Sequence, residues 1–99
     1  MKTIKGFVLV DGQIITIRVP NTGEYVIKGT LISQQLPDDY NKLMVSTSDG
    51  DIDTSISCEH GTSTYIYLPL GVINEGNKVV INSYDNIRFF GELLLKEEI

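Results

Sequence analysis

The sequence predicts an all-β fold of about seven or eight antiparallel strands, arranged as a β-sandwich or small barrel. Three observations carry this. The 99 residues contain no alanine, while Ile, Val and Thr fill 29 positions. Alanine is the best helix former, whereas β-branched side chains are stiff at χ1 and fit a pleated sheet. Turn signals recur about every eight to twelve residues, the spacing of short strands in a sandwich or barrel. Between the turns apolar residues alternate, and one open sheet of that length would leave a face of Ile and Leu wet. The Ile/Asn/Lys-rich, Arg-poor usage also fits the AT-rich genome of a low-GC bacterium or its phage, a second cause of the missing alanine.

The chain, residues 1–99, reads as one domain that folds without disulfide support. Its first hairpin is Ile4–Val10, Asp11-Gly12, then Gln13–Val19. A two-residue Asp-Gly loop selects a type I′ turn and fixes register, here Val8 against Ile15, Gly6 against Ile17 and Ile4 against Val19. Pro20-Asn21-Thr22-Gly23 reverses the chain into a strand over Tyr25–Ser33. Residues 34–42 lack alternation and form either a plain loop or one helical turn opened by Pro37, Asp38 and Asp39.

Leu43–Ser48, Asp49-Gly50 and Asp51–Cys58 read as a second hairpin, aligning Thr47 with Ile52, Val45 with Thr54 and Leu43 with Ile56. Glu59-His60-Gly61 then loops into a third strand, setting Thr64 opposite Ile56, Ile66 opposite Thr54 and Leu68 opposite Ile52. These three strands share an inner face of Leu43, Val45, Ile52, Ile56, Cys58, Ile66 and Leu68, which a one-residue slip would expose. Pro69 ends the third strand. A glycine turn near Gly76 leads to Lys78–Tyr84, and Asp85-Asn86 turns into Ile87–Leu95, with Lys96-Glu97-Glu98 as a solvated tail.

Thirteen acidic against eight basic residues give a formal charge of −5, with no basic run. Phosphate backbones need clustered cations, so nucleic acid is disfavoured as a partner. One cysteine, Cys58, and one histidine, His60, supply neither a disulfide, a zinc tetrad nor a triad built from His and Cys. Asp49-Gly50-Asp51-Ile52-Asp53 resembles an acidic calcium loop, but its glycine is misplaced for an EF-hand and a simple hairpin turn accounts for it. No cofactor, no metal and no enzymatic activity are expected. Phe7–Val10 is too short an apolar run for a signal or a membrane span, which points to a soluble, cytoplasmic protein.

The outer face of the central meander shows hydroxyls and acids around two tyrosines. Tyr65, Tyr67, Asp51, Asp53, Ser55 and Met44 are the candidate binding residues, a makeup like that of antibody loops. The chain has no tryptophan on which to stack sugars, so a protein partner is expected over a glycan. Phe89-Phe90 puts a ring on each face of the last strand; either both sides are covered or one ring is exposed for self-association.

Lys5-Gly6-Phe7-Val8-Leu9, Ile17-Arg18-Val19, Tyr25-Val26 and Gly76-Asn77-Lys78-Val79-Val80-Ile81 with Tyr84-Asp85 together resemble a bacterial S1-type OB-fold, as in translation initiation factor one. The resemblance spans about half the chain and implies an OB-like barrel with the Leu43–Cys58 hairpin inserted. Such domains bind RNA through basic and aromatic groups, a role that the acidic balance opposes. The expected function is a non-catalytic protein-binding module, an assembly subunit or a small inhibitor or immunity-type protein of phage or mobile-element character. The alternative is an OB-like oligonucleotide or small-ligand binder.

Overall fold

The computed structural model describes residues 1–33, 42–57, 63–83 and 87–98. Its strands are β1 (Lys2–Val10), β2 (Ile14–Arg18), β3 (Gly23–Ser33), β4 (Lys42–Thr47), β5 (Asp53–Ser57), β6 (Ser63–Ile73), β7 (Lys78–Ser83) and β8 (Ile87–Glu98). They form two four-stranded sheets, ordered β1-β8-β3-β6 and β2-β7-β4-β5, with antiparallel pairs throughout. The all-β expectation holds, and of its two forms the β-sandwich is the one observed. The OB-like barrel is not, because the strands divide cleanly between two sheets. Among the described residues no helix is long and apolar enough to cross a membrane.

The second hairpin has the expected register, but its loop is longer than the expected two-residue turn, with only Gly50 left-handed and the Gly50 amide donating to the Thr47 carbonyl over 3.0 Å. Val45 faces Thr54, Leu43 faces Ile56, and the Thr47 amide donates to the Ile52 carbonyl over 2.9 Å. The first Asp-Gly turn has the expected conformation but joins different strands. Asp11 (φ 43°) and Gly12 (φ 83°) are both left-handed, and the Gln13 amide closes the turn on the Val10 carbonyl at 3.3 Å. The flanking strands then part: β1 pairs with β8 and β2 with β7. The predicted Val8–Ile15 register is therefore corrected. An isolated two-stranded ribbon is marginal in water, and these two strands gain more by joining opposite layers of one core.

The predicted third strand of the meander also lies elsewhere. β6 pairs with β3, so that Ile66 faces Gly29 and Leu68 faces Ile27, and β5 is left as an edge of the other sheet. The alternation nevertheless sent the right residues inward: Leu43, Val45 and Ile66 are buried, and Ile52, Ile56 and Leu68 pack against the core. β6 does not end at Pro69 but continues to Ile73, taking an irregularity opposite Tyr25 and Val26 and a left-handed Gly71 (φ 84°). Proline is tolerated there because β6 is an edge strand. β8 likewise runs beyond Leu95, pairing Glu97 with Glu24 and Glu98 with Gly23 in place of a solvated tail. Of the predicted loop over residues 34–42, Lys42 begins β4, and the remainder, with Cys58, the Glu59-His60-Gly61 loop and the Asp85-Asn86 turn, lies outside the described residues.

Tyr25, Ile27, Leu31, Phe89 and Leu93 from the first sheet meet Leu43, Val45, Val79 and Ile81 from the second in one apolar cluster. Gly29 and Gly91 face each other across β3 and β8, and the Phe89 ring lies over Gly91, where an added Cβ would sit 2.5 Å from it. Phe89 also packs edge-on against Phe7, with ring centroids 5.6 Å apart. Gly91 thus makes room for the Phe89 ring, and Gly29 for the close approach of the β8 backbone.

Candidate functional site

The period-two geometry of β8 drives Phe89 and Leu93 into the core and turns Arg88, Phe90 and Glu92 to the outside of the sandwich. Registers with the neighbouring strands place further side chains beside them. Val8, Phe90, Thr30 and Tyr65 form one line across all four strands, and Gly6, Glu92, Lys28 and Tyr67 form the next. Large apolar or aromatic side chains on this face that stand open to solvent include Tyr65 (65% exposed), Val8 (54%), Tyr67 (46%) and Phe90 (46%), with Val72 farther along β6. Adjacent strands lie about 4.8 Å apart, so Phe90 and Tyr65 are about 10 Å apart at the backbone with Thr30 between them. Thr3 Oγ donates to Glu92 Oε1 over 2.9 Å and fixes that carboxylate beside the rings. The face therefore combines exposed ring surfaces with hydroxyl, ammonium and carboxylate groups, a makeup suited to a ligand with both apolar faces and polar edges.

The six residues singled out from sequence do not share one surface. Tyr65 and Tyr67 lie on the face just described. Met44, Asp53 and Ser55 lie on the outside of the opposite sheet, where Met44 faces Ser55 and, with Lys42 and Thr54, they line a shallow depression. Asp51 is in the turn between β4 and β5, its amide donating to Asp49 Oδ1 over 3.0 Å. Because β6 left the predicted meander for the other sheet, the tyrosines and the acids are separated by the whole core. Sequence reasoning left open which ring of Phe89-Phe90 is exposed and missed Val8, Glu92 and Lys28 as parts of a site. The signal was the Phe89-Phe90 pair, of which Phe89 is buried and Phe90 exposed, so the last strand is not covered on both sides at that point.

The acidic turn has an internal use. Asp49 Oδ1 accepts from Thr47 Oγ (2.7 Å), and Oδ2 accepts from Asn77 Nδ2 (2.6 Å). These donors, with the Asp51 amide foremost, hold the Asp49 carboxyl below its ordinary value. Among the described residues no three His, Cys, Asp or Glu side chains are grouped so as to hold a metal ion.

No family model matches the sequence, and no curated protein is similar to it at the sequence level. Solved structures do share the fold. One is the C-terminal CBM6 of LamC, a marine laminarinase from Zobellia galactanivorans, with a TM-score of 0.59 and 15% identity over 92% of this chain and 77% of that one. Another is a carbohydrate-binding module from Cellvibrio mixtus lichenase 5A in complex with cellotriose, with a TM-score of 0.51 and 14% identity over 86% and 72% of the two chains. The expectations of a protein partner, of a phage-type assembly or immunity role and of an oligonucleotide-binding alternative are corrected on this ground. The two structures named above are carbohydrate-binding modules, one of them in complex with cellotriose. The inference from missing tryptophan fails with them, since tyrosine and phenylalanine also offer an apolar ring face.

Proposed function

We propose that this chain is a non-catalytic carbohydrate-binding module whose ligand lies on the outer face of the β1-β8-β3-β6 sheet. The observation that carries the reading is the set of solvent-open rings, Phe90, Tyr65 and Tyr67, held at fixed cross-strand spacing on one face. A pyranose presents C–H groups on its faces and hydroxyls around its edge. The rings suit the former, and Thr30, Lys28 and Glu92 suit the latter. The fold shared with carbohydrate-binding modules supports the same reading. Such a role belongs where polysaccharide is found, so the cytoplasmic expectation is not carried forward.

Affinity electrophoresis and calorimetry against laminarin, lichenan and cello-oligosaccharides test the proposal. We expect saturable binding to at least one of these. Tyr65→Ala and Phe90→Ala each weaken it about tenfold, roughly 1.4 kcal/mol, without loss of the folded far-UV spectrum. Binding that survives both substitutions unchanged removes this face from consideration.

A further inference from the structure

Gly6 is a glycine that the fold does not require, and we propose that it is a notch through which the hydroxyl-bearing edge of a neutral sugar reaches the Glu92 carboxylate. The inference deepens the carbohydrate reading and rests on it. Of the other glycines of this sheet, Gly71 is explained by its left-handed φ and the rest by packing. A Cβ at Gly29 would collide with the Phe90 carbonyl, one at Gly91 would strike the Phe89 ring, and one at Gly23 would strike the Glu97 carbonyl. At Gly6 a Cβ would meet nothing closer than the Gly91 carbonyl oxygen at 4.0 Å. Nor does the backbone demand glycine there, because Gly6 is not among the residues with positive φ. A strand-interior glycine weakens its strand and marks a bulge, a bend or a close approach from outside. The irregularity of β1 lies between Thr3 and Lys5 and leaves Gly6 in register with Glu92, which favours the close approach.

What the missing side chain uncovers is specific. Gly6 lies directly across from Glu92 on β8, between Thr3 and Val8 along the edge strand β1. Thr3 Oγ holds Glu92 Oε1 at 2.9 Å, and among the described residues Oε2 has no hydrogen-bond donor. An ionised carboxylate only accepts, so its complement is a donor such as a sugar hydroxyl, and such charge-assisted bonds are among the stronger ones. Phe90, two residues back on β8 and on the same face, stands about 7 Å from Glu92 along the strand and offers its ring to the same pyranose. Lys28 lies on the far side of Glu92 from the notch. A uronate or sulfated sugar entering at Gly6 would set its anion against Glu92, so the ligand is neutral there.

The test uses the full chain with laminarin, cellotriose and polygalacturonate as probes. Gly6→Val is expected to fold with an unchanged or higher Tm, because space exists for its side chain, and to bind the neutral probes about tenfold more weakly or worse. Glu92→Gln is expected to show a similar loss, and Gly6→Ala a smaller one. Should Gly6→Val fail to fold, the graded pair Gly6→Ala and Gly6→Ser gives the same readout. Undiminished binding by the filled variants overturns the notch but leaves the carbohydrate reading standing, provided that Phe90→Ala still weakens binding. Preference for polygalacturonate overturns the assignment of a neutral ligand. A wild-type chain that binds none of the probes overturns the carbohydrate reading and the notch together.

Discussion

Tyr25 ties a bend to a strand with one hydroxyl. It is fully buried at the start of β3 and donates to the Asn21 carbonyl, closing the chain reversal that Pro20 to Gly23 begins. Burial, aided by Glu98 and Glu75, raises its hydroxyl above the ordinary value of 10.0. The folded state thus favours the neutral phenol, and its stabilisation is complete below the unfolded value and lost as pH rises through the folded one. Tyr25→Phe should therefore lower stability at neutral pH by about 1 kcal/mol and give a shallower loss of Tm above about pH 10, both measurable by thermal melts. Gly29 offers a second check: Gly29→Ala should destabilise by about 1–3 kcal/mol through collision with the β8 backbone, as read by urea unfolding. At this scale the sequence was partly legible. Alternation sent Val45 and Ile66 inward and Tyr65 and Tyr67 outward. It did not separate Phe89 from Phe90, because two adjacent rings point to opposite faces and only the partner layer decides which is covered.

The two Asp-Gly turns separate what an element encodes locally from what it does not. Asp11-Gly12 adopts the doubly left-handed conformation that Asp-Gly favours without closing a hairpin, whereas Asp49-Gly50, with only Gly50 left-handed, closes one in the expected register. The same dipeptide thus takes two conformations, and the choice of strand partner follows from where the most apolar surface is buried, which no short window contains. Asp49 also joins elements: Ser48 Oγ donates to Asn77 Oδ1 over 2.5 Å and Asn77 Nδ2 donates back to Asp49, bracing the β4–β5 turn on the turn before β7. Its carboxyl lies below 3.8 in the folded state, so its contribution is present above the unfolded value and fades as pH falls through the folded one. Asp49→Ala should thus lower Tm at pH 7 and approach the wild-type Tm near about pH 2, a convergence that melts at graded pH would reveal.

The sandwich as a whole is assembled from distant pairings. β1 and β8 are neighbours although they are the first and last strands, and β3 pairs with both β6 and β8. Loops of this span must close before their contacts form, so refolding by stopped-flow should take milliseconds to seconds, well beyond the microseconds of local helical bundles. The same non-locality explains why the candidate face was hard to read. Each strand's alternation says in or out, but the outsides of the two sheets look alike in one dimension, so Tyr65 and Tyr67 were grouped with Asp53 and Ser55 across the core. Only the pairing of β8 with β1 and β3 collects Val8, Phe90, Glu92 and Lys28.

β8 is hydrogen-bonded on both sides, and its residue parity divides two tasks: 87, 89, 91 and 93 fold the molecule while 88, 90 and 92 face outward. Mutation at 88, 90 or 92 leaves the interior layer untouched, so these outward residues are free to drift under selection while the scaffold stays fixed. A strand of this kind is a ready site for diversification. A library randomised at Arg88, Phe90 and Glu92 should yield mostly folded variants with altered ligand preference, whereas the same library at Ile87, Phe89 and Leu93 should yield mostly unfolded ones.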